Sequence, residues 1–224
     1  MKFAPEGIPF IAGALVVTVV AAVFAFTANR HIVISLVLML ICIDITVFMF
    51  YFFRDPERVV PKGENIIVSP ADGKVIVVSE VYENTTLKAN VRKLSIFMSP
   101  LNVHVNRIPY TGTVVNVKRN AGNFFKAFMD EASLTNENVT TTVETSRGTM
   151  LIKQIAGSVA RRAVCRATPG THLLTGERFG IIKFSSRVDL FLPLSTAIIV
   201  KTGDMVRAGE TVVANWTEQK EQEH

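Results

Sequence analysis

Residues 32–58 read I-V-I-S-L-V-L-M-L-I-C-I-D-I-T-V-F-M-F-Y-F-F-R-D-P-E-R. From Ile32 to Phe53 the only charge is Asp44; the next five residues then bring four charges and a proline. An apolar run of this length spans a hydrocarbon core of about 30 Å as a helix. Helix is also the conformation that satisfies every backbone polar group where water is absent. Upstream, Ile8 to Thr27 (I-P-F-I-A-G-A-L-V-V-T-V-V-A-A-V-F-A-F-T) is a second, uncharged run. Only Ala28-Asn29-Arg30-His31 separates the two. The sequence therefore predicts a two-helix transmembrane anchor over residues 1–53. A cleaved signal peptide is disfavoured by the length of the first run and by the second that follows at once.

The charge distribution agrees. The 224 residues include 24 Lys and Arg against 19 Asp and Glu, a formal net charge of +5. Residues 1–53 hold only Lys2, Glu6, Arg30 and Asp44, so the excess falls on residues 54–224, with 22 basic and 17 acidic side chains. Lys2, Arg54, Arg58 and Lys62 flank the outer ends of the hairpin and Arg30 alone lies in its loop. The positive-inside rule then puts both termini, and the domain that follows, on the cytoplasmic side of the cell membrane. Reduced Cys42 and Cys165 fit that compartment. Two cysteines exclude a disulfide scaffold and a Cys-rich zinc module. No interleaving of basic and aromatic residues points to nucleic acid. Asp44 is expensive inside a span unless it is paired within the hairpin or in a homo-oligomer.

Beyond the break the chain changes period. Short runs rich in Val, Ile and Thr follow one another: Ile66–Val68, Lys74–Val78, Leu94–Met98, Gly112–Val117, Thr140–Thr145, Met150–Ile155, Ala163–Ala167, Ile181–Phe184, Leu190–Leu192, Ala197–Val200 and Thr211–Ala214. Gly, Pro, Asn or Asp punctuate most of them, which predicts strands and turns. One stretch, Asn123–Glu131, has a weak helical period. The fold class is thus a mainly β (α+β) domain over residues 54–224, behind the helical anchor. Gly170-Thr-His-Leu-Leu-Thr-Gly176-Glu177 and Gly203-Asp-Met-Val-Arg-Ala-Gly209-Glu210 repeat at an offset of 33. Such G-x5-G-E turns also occur in lipoyl-like hairpins, but the exposed lysine that carrier domains modify has no equivalent here. The tail from Glu218 is polar and reads as frayed.

Three segments carry candidate chemistry. In Ser69-Pro70-Ala71-Asp72-Gly73-Lys74, Asp-Gly is first of all a turn, but its carboxylate can also orient a histidine. In Ser99-Pro-Leu-Asn-Val-His104-Val-Asn-Arg107-Ile-Pro109, His104 is the one histidine within a strand-like segment of the β domain; His31 is in the membrane loop, His172 in a repeat turn and His224 at the end. It is the candidate acid or base. In Arg178-Phe-Gly-Ile-Ile-Lys-Phe-Ser185-Ser186-Arg187-Val-Asp-Leu-Phe-Leu-Pro193, two serines sit between apolar strands. A serine becomes a nucleophile when a base takes its proton and a carboxylate orients the base. Spacing alone does not bring the three together.

These segments occur in one order: F-R-D-P-E-R after a span, S-P-A-D-G-K, S-P-L-N-V-H-V-N-R-I-P, A-R-R-A-V-C, and R-F-G-I-I-K-F-S-S-R-V-D-L-F-L-P. In that order they resemble the short, membrane-anchored, archaeal-type branch of the phosphatidylserine decarboxylases, from about Phe53 to Val213. The resemblance implies a proenzyme that cuts itself before a serine, which becomes an N-terminal pyruvoyl group. Arg187-Val188-Asp189 sets the register, so Ser186 is the precursor and the chain parts into residues 1–185 and 186–224, which stay associated. By the same likeness, His104 takes the hydroxyl proton and has a second role in proton transfer, with Asp72 orienting its ring. The family's longer branch has a further histidine where this chain has Arg107.

The substrate so implied is phosphatidylserine, bound as a Schiff base on the pyruvoyl group and released as phosphatidylethanolamine, without metal or pyridoxal phosphate. Arg107, Arg161 and Arg162 are candidates for its phosphate or carboxylate. The basic domain is drawn to an anionic leaflet. One residue departs from the pattern: the family has Gly before the precursor serine, and here it is Ser185. Three readings stay open: a tolerated variant, a substitution that traps the proenzyme, or cleavage after Phe184. Two other functions compete with the decarboxylase. One is a membrane-anchored serine hydrolase using Asp72, His104 and Ser186. The other is a noncatalytic lipoyl-like adaptor.

Overall fold

The computed structural model describes residues 2–27, 32–122, 136–157, 162–183 and 186–217. Both apolar runs are helices, α1 (Ile8–Thr27) and α2 (Ile32–Phe52), each long and apolar enough to cross a membrane. The four-residue connection between them, the weakly helical 123–131 and the tail from 218 lie outside the described residues. Thr18 joins the helices: its hydroxyl is 3.0 Å from the Cys42 carbonyl and 2.8 Å from the Thr46 hydroxyl. Two short strands, β1 (Lys2–Phe3) and β2 (Arg54–Asp55), pair antiparallel and close the open end of the hairpin. Gly7 is needed there, because an added Cβ would come within 2.2 Å of the Phe53 ring. Arg54 lies 3.8 Å over the Tyr51 ring, the aromatic–basic pairing common where a helix leaves lipid. Asp44 is exposed on this unit, residues 1–57.

Residues 58–224 form the second unit. Its strands are β3 (Ile66–Val68), β4 (Gly73–Glu83), β5 (Ala89–Met98), β6 (Val105–Arg107), β7 (Gly112–Asn120), β8 (Asn138–Thr145) and β9 (Gly148–Ala156). They continue with β10 (Ala163–Cys165), β11 (His172–Leu173), β12 (Arg178–Ile182), β13 (Ser186–Pro193), β14 (Thr196–Ile198), β15 (Met205–Val206) and β16 (Val212–Trp216). The expected mainly β domain behind an apolar hairpin is therefore what forms. One eight-stranded antiparallel sheet runs β11-β7-β8-β9-β13-β5-β4-β15, with smaller sheets β10-β12-β6 and β14-β16-β3. Irregularities at Val75/Val77 and at Val114/Asn116 bend β4 and β7, as bulges do.

The strand that positions the site is β13. It lies between β5 and β9, with Ser186 opposite Met98 on one side and Ala156 on the other. Alternate residues face opposite sides of the sheet. Val188, Leu190 and Leu192 join Leu94, Ile96 and Ile152 in the main core. Phe191, on the other face, packs with Val91 and Leu151. Arg187 and Asp189 share that second face, both wholly buried. Burial is tolerated because they are paired: Arg187 Nε is 2.5 Å from Asp189 Oδ1, its Nη2 donates to Ser95 Oγ at 2.8 Å, and Lys93 Nζ is 3.4 Å from Asp189 Oδ2. This network fixes the register of the residue that follows Ser186.

Candidate active site

Ser186 opens β13 and is wholly buried. Its hydroxyl donates to Met98 Sδ at 3.4 Å. A thioether is a weak acceptor, so the hydroxyl is little committed. The same sulfur takes a second donor, Asn106 Nδ2 at 3.7 Å. Gln154 in turn fixes Asn106, donating from Nε2 to Asn106 Oδ1 at 2.8 Å. The orientation of Gln154 is set by its second contact, 3.4 Å to the Val164 carbonyl, which can only accept. Gln154 Oε1 is left buried without a hydrogen-bond partner among the described residues. Gly180 makes room for this arrangement: a Cβ there would lie 2.3 Å from Val164 O and 2.8 Å from Gln154 Nε2.

His104 is also wholly buried. Asn102 shapes the turn before it, its Oδ1 accepting from both the Ser99 amide and the Ser99 hydroxyl at 2.9 Å. The Asn102 carbonyl then lies 3.0 Å from His104 Nδ1. A carbonyl only accepts, so Nδ1 carries the hydrogen, and in the neutral ring Nε2 holds the lone pair of a base. The backbone ties this loop to β12: Ile182 N donates to His104 O at 3.3 Å, four residues before Ser186 in sequence, and Val105 pairs with Ile181.

Asp72 sits in the turn between β3 and β4. Its Oδ2 accepts from Arg58 Nη2 and its Oδ1 from Ala208 N, each at 2.8 Å. The next loop over is that of His104, since Arg107 N donates to Pro70 O at 2.9 Å. The ring of His104 is thus oriented by the Asn102 carbonyl, while the two carboxylate oxygens of Asp72 are held by Arg58 and a backbone amide. The remaining candidates separate. Arg107 is buried, with Nη1 donating to Gly176 O at 2.9 Å. Arg162 is exposed, and its carbonyl accepts from Lys183 N at 3.3 Å, which sets these two basic residues side by side. Arg161 and Ser185 lie outside the described residues. Arg58, Asn106 and Lys183 lie within the quoted motifs without a chemical signal of their own, and Met98 and Gln154 lie outside them; their contacts become visible only in the structure.

A wholly buried serine opens the strand between β5 and β9, and a wholly buried histidine whose Nδ1 is held by a carbonyl lies in the same β domain. In sequence that domain follows two helices of membrane-spanning length. Comparison with known proteins supplies the class. A family profile for phosphatidylserine decarboxylase matches residues 45–214. The chain is 43% identical over 211 residues to a phosphatidylserine decarboxylase proenzyme of Geobacter metallireducens, covering 94% of each chain. It is 44% identical over 209 residues to that of Syntrophus aciditrophicus, covering 93% of this chain and 94% of the other. With the Rickettsia akari proenzyme it shares 42% identity over 179 residues, or 78% of each. The chain belongs to the phosphatidylserine decarboxylase family.

Proposed function

We propose that this chain is a membrane-anchored proenzyme that cuts itself between Ser185 and Ser186 and then converts phosphatidylserine to phosphatidylethanolamine. The observation that carries the reading is Ser186: buried, fixed in register from both sides, and, among the described residues, holding its hydroxyl on nothing stronger than a thioether. The family match is what disfavours a serine hydrolase.

In the self-cleavage, Ser186 Oγ forms a bond to the carbonyl carbon of residue 185 and gives up its proton to His104 Nε2. The peptide C–N bond breaks and the freed nitrogen takes a proton, leaving an ester. Asn102 O holds the ring so that Nε2 is the basic nitrogen. The Asp72 charge, in the loop hydrogen-bonded to Arg107, favours the imidazolium that forms. Loss of the ester as a carboxylic acid leaves a dehydroalanine, which water converts to a terminal ketoacyl group and ammonia.

The residues present fit such a group. Ser186 is buried, Asn106 Nδ2 brings a donor whose present acceptor is a sulfur, and Gln154 Oε1 brings a buried acceptor. The pyruvoyl carbonyl supplies the electron sink for carboxylate loss. His104 returns a proton to the carbon that loses CO2. Arg162 and Lys183, with Arg161, are the cations for the lipid's anionic headgroup, while Arg107 serves from within the turn it braces.

After cleavage β13 to β16 belong to the small fragment, yet β13 pairs with β5 and β9, β15 with β4 and β16 with β3. The two fragments therefore stay together. We read the duplicated G-x5-G-E turns as lipoyl-like hairpins used as scaffold. The hairpin of α1 and α2 keeps the enzyme in the cytoplasmic membrane, where a two-chain lipid is concentrated, with the basic domain facing the anionic inner leaflet.

The test is to incorporate the purified chain in phosphatidylserine vesicles and follow phosphatidylethanolamine by lipid mass spectrometry. The natural chain is expected to make product and Ser186→Ala none. Product formed at the natural rate by Ser186→Ala would overturn the reading.

A further inference from the structure

The β domain contains an internal control for Asp72. Pro70-Ala71-Asp72-Gly73-Lys74-Val75 and Pro109-Tyr110-Thr111-Gly112-Thr113-Val114 share the pattern P-x-x-G-x-V, and each leads into a long strand bent just beyond its valine. Each is docked by one of the G-x5-G-E turns through matching bonds. Gly203 N donates to Val75 O at 2.9 Å as Gly170 N does to Val114 O at 2.7 Å. Val75 N donates to Asp204 O at 2.8 Å as Val114 N does to Thr171 O at 2.9 Å. Gly209 N donates to Ser69 O at 2.9 Å as Gly176 N does to Ile108 O at 2.8 Å. In this correspondence Thr111 stands where Asp72 stands.

The comparison separates the two oxygens of Asp72. Ala208 N donates to Asp72 Oδ1 at 2.8 Å, and the equivalent Thr175 N donates to Thr111 Oγ1 at 3.0 Å. Clamping the turn therefore needs one acceptor, which a threonine provides. The second oxygen has no counterpart in threonine. It is bound by Arg58, whose Nη1 also reaches Glu210 Oε2 at 3.0 Å. The side chains of Arg58 and Asp72 are only 8% and 11% exposed. Burial alone would favour a neutral carboxyl; a guanidinium at hydrogen-bond distance favours the carboxylate. Bridging two carboxylates with separate arms is what a planar fork does and a lysine ammonium does not.

We infer that Arg58 is a positioning residue for self-cleavage: it fixes Asp72 as an ionised carboxylate, and the turn itself does not require it. This rests on the reading that Asp72 assists His104. The charged and titratable groups around Asp72 are Arg58 from the segment after the anchor and Glu210 with Arg207 (3.9 Å from it) from the second turn. His104 and Arg107 belong to the loop bonded to Pro70. Removing the Arg58 cation raises the pKa of Asp72, so the fall in cleavage rate on acidification moves to higher pH.

The experiment follows appearance of the 186–224 fragment by mass spectrometry against pH. It uses the full chain in membranes, both with the natural Ser185 and with the Ser185→Gly substitution. Asp72→Thr, which keeps the turn acceptor as Thr111 does, is expected to slow cleavage about tenfold or more while leaving the thermal midpoint near its natural value. Arg58→Met is expected to shift the acid limb upward by about one pH unit or more and to recover rate as pH rises; Arg58→Lys lies between. If Asp72→Thr is slow but the limb of Arg58→Met stays in place, the role of Arg58 is overturned and that of Asp72 survives. Loss of rate at every pH, together with a lowered thermal midpoint, marks Arg58 as structural and overturns the inference as well. If Asp72→Thr cleaves at the natural rate, or if neither the natural chain nor Ser185→Gly cleaves, the reading beneath it fails.

Discussion

His104 shows what a single residue contributes and how far its environment decides it. Its Nδ1 hydrogen goes to the Asn102 carbonyl, so in the neutral ring Nε2 holds the lone pair. Replacing it by Asn is expected to slow self-cleavage by about 10²–10⁴-fold, read as the half-time of fragment appearance. Unchanged kinetics would remove the imidazole from the mechanism. Asp72, His104 and Ser186 are legible in sequence because each sits in a quotable motif. The hydrogen bond between Gln154 and Asn106 is not, because its partners are 48 residues apart, although Asn106 shares a motif with His104. Arg107 reads in sequence as a cation for substrate; the structure shows it buried and bound to Gly176 O, a role that spacing cannot reveal. Arg58 looks like one more flanking charge because its partners lie 14 and 152 positions away.

Among the elements, β13 decides most. Its alternation is masked in sequence because Arg187 and Asp189 are buried on one face as thoroughly as Val188 and Leu190 on the other. Asp189→Ala removes a carboxylate from a buried guanidinium and is expected to cost about 3–5 kcal/mol, measured by denaturant unfolding. A loss below about 1 kcal/mol, the scale of an exposed pair, would mean that the network does not hold the register. The β4–β5 hairpin is held differently. Burial would raise the pKa of Glu83, but bonds from the Thr85 hydroxyl and the Leu87, Thr86 and Thr85 amides outweigh it and bring the pKa below its ordinary 4.5. A depressed carboxyl stabilises the fold above its unfolded pKa and loses that contribution as pH falls through the folded value. Glu83→Gln is therefore expected to destabilise at neutral pH and to converge with the natural chain in acid. A gap that persists in acid would contradict this. The longer strands and both helices are legible from period and length. Two-residue β11 and β15 are not, since they exist only by pairing with β7 and β4.

For the whole molecule, charge alone shows the division of labour in the sequence: an anchor with no net charge and a β domain carrying the +5 excess. What the sequence hides is the weaving of residues 186–217 through two of the β domain's three sheets, which makes a cut before β13 survivable. The account predicts that the cleaved fragments co-purify in detergent and part only on unfolding; separation under native conditions would contradict that topology. The proposed cut is the central event. Intact-mass measurement of the chain freshly isolated from membranes should find two species meeting between residues 185 and 186, the smaller beginning with a ketone-bearing blocked terminus. A single uncut mass that stays uncut at neutral pH in membranes after Ser185→Gly would contradict it.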